Sequence, residues 1–104
     1  MAENRKKPYI IHEARLLKRL ENSEFAFEYL RAAMEDDMPE IFLDALRLIS
    51  RASGMKKISD HTKLNREQLY KTISKKGNPT LNSLVAVLDA LGYRLSLEKK
   101  KAAG

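Results

Sequence analysis

The sequence predicts a mainly α-helical domain of five or six helices, with a helix-turn-helix at residues 55–75 and one short C-terminal strand. Three observations predict it. Apolar residues recur at helical spacing from Ile10 to Leu91. Capping and stop residues break that pattern at short intervals: Asn22-Ser23, Pro39, Gly54, Asn65, Thr80 and Gly92. Over Tyr93-Arg94-Leu95-Ser96-Leu97-Glu98 the period changes to two, which is the pattern of a strand.

The chain has 104 residues, enough for one domain with a modest core. It contains no cysteine, so disulfides and thiolate metal sites are excluded. Its two histidines, His12 and His61, lie far apart, and His12-Glu13 is not followed by a second histidine at metalloprotease spacing. No Gly-rich phosphate loop and no nucleophile-base-acid set is present, so neither an enzyme nor a cofactor is expected. No apolar run approaches the length of a membrane span, and the polar start MAENRKKP lacks a secretory core. The expected compartment is the cytoplasm.

In order, residues 1–9 read as a flexible arm, residues 10–98 as the helical domain and residues 99–104 as a flexible basic tail. A first helix over Ile10–Leu20 carries an apolar stripe of Ile10, Ile11, Ala14, Leu16, Leu17 and Leu20. Asn22 or Ser23 caps a second helix, running to about Asp36 and burying Phe25, Ala26, Tyr29, Leu30 and Ala33. Pro39 opens a third at the position where its missing N–H costs nothing, and Gly54 ends it. Thr80 caps a last helix over Leu81–Leu91, with Leu84, Val85, Val87, Leu88 and Leu91 as its buried rows. Gly92 stops it. The following strand has no sheet partner in its own chain. Its edge pairs with a second copy or with a partner's sheet, or else the segment packs flat on the core.

Between these lies Met55 to Thr80. A short helix runs to Thr62, a turn follows at Thr62-Lys63-Leu64, and a second helix runs from after Asn65 to about Lys75. Ile58, Leu64, Leu69 and Ile73 form its apolar inside. Arg66, Glu67, Tyr70, Lys71 and Ser74 form the opposite face, a set of long, polar and basic side chains suited to a major groove.

Charge is divided unevenly. Residues 54–76 hold seven basic residues against two acidic, a net of +5. Residues 21–44 hold eight acidic against one basic, a net of −7. The whole chain carries +6. The two blocks are either solvated helix faces or surfaces for two partners of opposite charge.

Residues 54–71 together with Gly77-Asn78-Pro79, Leu84, Leu88 and Ala90-Leu91-Gly92 resemble the Cro/Xre-type helix-turn-helix family. Within it, NREQLYKTIS, GNPT and the upstream FAFEYLRAAMEDD are similar to addiction-module antidote proteins, the antitoxins of bacterial type II toxin–antitoxin pairs. The resemblance covers about residues 22–97. It implies a repressor-like fold, a homodimer, and binding to an inverted-repeat operator of double-stranded DNA that represses its own operon. It also implies neutralisation of a small basic toxin of the RelE/ParE superfamily. A phage-type or stand-alone repressor without a toxin is the alternative. Three departures stand out: Lys63 replaces the usual turn glycine and is expected at positive φ, Ser59 replaces a usual alanine, and Met38 replaces an acidic cap.

On this reading the recognition helix is Arg66 to Ser74. Arg66 contacts guanine or a phosphate, and Glu67 accepts from cytosine or complements the helix dipole. Gln68 reaches adenine or only the groove wall, and Lys71 contacts a base or a phosphate. Tyr70 bonds a phosphate or packs in the core. Asn65 is first a cap. Lys56 and Lys57 flank the start of the first motif helix. Lys75, Lys76 and Asn78 flank the DNA backbone on the other side. His61 reads as a surface residue.

Overall fold

The computed structural model describes residues 8–74 and 78–101, with the side chains of residues 8–11 and of Arg66 outside that description. Six helices follow in order: α1 Pro8–Arg19, α2 Ser23–Met34, α3 Pro39–Ser53, α4 Met55–Thr62, α5 Arg66–Thr72 and α6 Leu81–Ala90. Each boundary has a local cause. Asn22 caps α2, its side chain accepting from the Phe25 amide at 2.9 Å. Pro39 occupies the first turn of α3. Met38 offers no side-chain cap there, as expected of a thioether, and its own amide donates instead to Asp36 Oδ1 at 2.9 Å. Gly54 sits at φ 104 between α3 and α4, a backbone state that favours glycine, so two helices meet with no intervening loop.

Packing follows from these joints. The helix α3 rests against α1, α2 and α4, while α4 rests against α5 and α6. One apolar cluster runs through both groups, with Leu20, Leu30, Leu46, Ile49, Ile58, Leu69 and Val87 among its buried members. Burying side chains of this size stabilises by about 1.5–3 kcal/mol each. Because Ile58, Leu69 and Ile73 belong to the cluster, the core itself fixes the placement of α4 and α5.

Four expectations are corrected. Residues 93–98 form no strand, and none occurs among the described residues. After α6, Gly92 takes φ 91 and the Tyr93 amide donates back to the Leu88 carbonyl at 2.8 Å. Only Tyr93 then packs on the core, and by Leu97 the segment is 98 % exposed. Alternation alone cannot supply the ladder of hydrogen bonds that a strand needs. Val85, expected inside, is exposed, because α6 buries the stripe through Leu84, Val87, Leu88 and Leu91. The recognition helix is shorter than expected, ending at Thr72 with Ile73 as its cap. There Thr72 Oγ1 donates to the Gln68 carbonyl at 2.9 Å and Ser74 Oγ to the Lys71 carbonyl at 3.2 Å. Hydroxyls that compete for helix carbonyls favour such an end. Finally, α1 starts at Pro8 rather than Ile10, with proline as its first residue. The rest of the expected N-terminal arm, residues 1–7, and the tail residues 102–104 lie outside the described residues.

Candidate nucleic-acid interface

The link between α4 and α5 is held by side-chain hydroxyls. Lys63 takes φ 63 and ψ 11, the left-handed region, and is the one non-glycine residue with positive φ among the described residues. Its amide donates to the Ser59 carbonyl at 3.0 Å. Ser59 Oγ donates to the Leu64 carbonyl at 3.0 Å, and the Leu64 amide donates to Thr62 Oγ1 at 3.2 Å. Ser59 is therefore more than a small residue at a crossing: it satisfies the turn. Leu64 packs on the core beside Ile58, which is wholly buried. Such bonds offset the roughly 1–2 kcal/mol that a left-handed lysine costs.

At the start of α5 stands a capping box. Asn65 Oδ1 accepts from the Gln68 amide at 2.7 Å, and the Asn65 amide donates to Gln68 Oε1 at 3.4 Å. Gln68 thus turns its carbonyl oxygen back to the cap, a role beside the adenine or groove-wall contact that the sequence suggested. The signal was present in the spacing Asn-x-x-Gln. Leu69 and Ile73 are buried beneath α5, while Glu67, Tyr70 and Lys71 are exposed above it. At 51 % exposure, Tyr70 is not a core residue. Glu67 and Lys71 lie one turn apart yet form no ion pair with each other. Ser74 is half-buried, with its hydroxyl engaged on α5.

Around α5 the surface is cationic. Lys63 and Lys71 are exposed, whereas Lys56 and Lys57, also exposed, line a shallow hollow with Asp60, His61 and Ala90 at the far end of α6, where the Lys56 ammonium meets Asp60 at 3.0 Å. On the other side, Gln68, Lys71, Ser74, Asn78 and Thr80 line an open cleft of about 420 Å³ between α5 and α6. Thr80 caps α6, its Oγ1 accepting from the Ser83 amide at 3.1 Å. The first turn of α6 carries no acidic residue, so its positive dipole end has no carboxylate of its own. Sequence reading took Thr80 only as a cap; its place in the cleft depends on how α6 packs against α5. His61, exposed at the end of α4, pairs with Asp89 of α6 at 3.0 Å. Lys75 and Lys76, expected at this surface, lie outside the described residues, as does the side chain of Arg66.

A family model described as that of a probable addiction module antidote protein matches residues 11–99. The chain belongs to this family. It is also similar to an uncharacterized protein of Haemophilus influenzae, 35 % identical over 75 residues that cover 72 % of this chain and 77 % of that protein. No solved structure matches the chain. An antidote implies a toxin partner, and antidote proteins are generally not enzymes. Among the described residues of this family member, no helix is long and apolar enough to cross a membrane.

Proposed function

We propose that the protein is the antitoxin of a bacterial type II toxin–antitoxin pair that binds its own operator DNA, represses its operon and neutralises a small basic RelE/ParE-like toxin. It acts in the cytoplasm, at the nucleoid when bound to DNA. The observation that carries the DNA-binding part is α5, held from below by Leu69 and Ile73 and presenting Glu67, Tyr70 and Lys71 to solvent within a cationic surface. On this reading α4 and α5 are a Cro/Xre-type helix-turn-helix and α5 enters the major groove. Lys71 and Arg66 contact bases or phosphates, Glu67 faces a cytosine amino group and the Tyr70 hydroxyl reaches a phosphate. Lys56, Lys57, Lys75, Lys76 and Asn78 attract the DNA backbone on either side, with the α6 N-terminus beside Thr80 offering its free amides to a phosphate. As a homodimer the protein places two such helices about 34 Å apart, on successive turns of an inverted repeat.

The experiment is co-expression with the adjacent reading frame. Induced alone, that frame arrests growth; induced with this chain, growth recovers and the two proteins copurify. A neighbour that is harmless by itself, beside a chain that still binds its upstream DNA, leaves a stand-alone repressor and contradicts the antitoxin reading.

A further inference from the structure

Away from the cationic surface, the chain leaves apolar side chains open to solvent. Phe27 and Met34 of α2, Phe42 of α3, and Tyr93 and Leu95 after α6 line a groove of about 270 Å³. Phe27 is 46 % exposed, Met34 53 % and Leu95 40 %. Met38 and Ile41, at the joint that follows Met34, are exposed as well. A patch of this kind, rimmed by charge, marks an interaction surface.

Its surroundings select the occupant. On α2, Glu24 and Glu28 fall on the solvent face, about a quarter-turn around the helix from Phe27 and Met34 with Arg31 between, and Glu35 follows as the C-cap beside Met34. Asp36, Asp37 and Glu40 follow at the joint. All six are exposed, and none forms an ion pair among the described residues. Arg31 and Arg94 are the two cations on the lining. One wall of the groove, from α2 and α3, thus belongs to the −7 block of residues 21–44 in a chain that is +6 overall. A second copy docking here through the same surface would bring one acidic block against another, which like-charge repulsion opposes. The groove also lies by Leu88 and Tyr93, whereas the cleft of α5 lies by Thr80 at the opposite end of α6, roughly 15 Å away along a ten-residue helix.

We infer that this groove is the toxin-docking surface: a basic, amphipathic segment of the toxin inserts apolar side chains between Phe27, Met34, Phe42 and Leu95 while its cations meet the acidic rim. The inference rests on the antitoxin reading. Because the groove and the α5 cleft lie at opposite ends of α6, toxin and operator bind the same chain together.

The test uses the full chain and the purified product of the adjacent reading frame. Met34→Lys and Leu95→Lys, both at exposed positions, weaken binding to that product at least about tenfold, and Met34→Leu keeps it within about twofold. Operator binding and oligomeric mass stay unchanged in all three, and binding to the product weakens with added salt. Lysine variants that bind the product as the wild type does overturn the inference and leave the antitoxin reading standing. Lysine variants that instead lose self-association show that a second copy occupies the groove, and also overturn it. A wild-type chain that does not bind the product at all removes the antitoxin reading itself.

Discussion

Replacing Asn65 by alanine isolates the element on which the DNA-binding reading depends. The helix α5 has seven residues, far below the roughly 12–15 at which an isolated helix becomes even marginal in water. It is held by its cap and by the burial of Leu69 and Ile73. The Asn65 side chain accepts a short bond of 2.7 Å from the Gln68 amide, whereas the reciprocal bond to Gln68 Oε1 is long at 3.4 Å. Most of the box therefore resides in Asn65. Asn65→Ala costs about 1 kcal/mol, within the roughly 0.5–2 kcal/mol range of cap losses. For a domain of this size that lowers Tm by about 4–8 °C. Gln68→Ala costs only a few tenths of a kcal/mol, and Asn65→Asp restores most of the loss. Thermal melts of the four proteins, followed by circular dichroism, measure this. An Asn65→Ala protein as stable as the wild type, or a Gln68→Ala protein that loses just as much, refutes the argument that Asn65 anchors α5.

Other substitutions probe neighbouring parts of the structure. Lys63→Gly removes a left-handed side-chain penalty of about 1–2 kcal/mol at the cost of about 0.5–1 kcal/mol of chain entropy. A net stabilisation of about 0.5–1 kcal/mol in urea unfolding is expected. Leu69→Ala, at a position with no exposed surface, costs about 2–5 kcal/mol and lowers the urea midpoint with little change in m. Tyr93 is half-buried, and desolvation raises its phenol above the usual value of 10.0. The folded state thus favours the neutral phenol. Its contribution is fully present below pH 10 and is lost as the pH rises through the folded value. Tyr93→Phe makes the alkaline decline of stability shallower, as equilibrium unfolding between pH 9 and about 11.5 would show.

Helix order was legible in the sequence because caps, prolines and glycines each act on their own neighbours. Asn22, Pro39, Gly54, Asn65, Thr80 and Gly92 all stand at the helix boundaries they suggest. Ile58, Leu69 and Ile73 could be placed inside for the same reason, since four-residue spacing needs only the helix itself. What depends on distant packing was not legible. Tyr93 to Glu98 alternates as a strand does, yet a strand is a property of a pair, and the chain supplies no second one among the described residues. Val85 belongs to an apolar helix, but which stripe faces inward was decided by α4 and α5. At the candidate site, the exposure of Glu67 and Lys71 followed from the sequence pattern, while Tyr70, left open between a phosphate and the core, is exposed. The cleft shared by Asn78 and Thr80 did not follow from it, because it arises from contacts between elements, whereas the turn of Gln68 onto its cap is a local contact that the Asn-x-x-Gln spacing already signals.

The most direct test of the account is a salt titration of binding to the DNA upstream of the chain's own reading frame, followed by fluorescence anisotropy. The account predicts that log K falls linearly with log salt concentration, and that Lys71→Ala lessens the slope by about one while weakening binding. A chain that binds no upstream DNA at any salt concentration, or a Lys71→Ala protein with the wild-type affinity and slope, contradicts it.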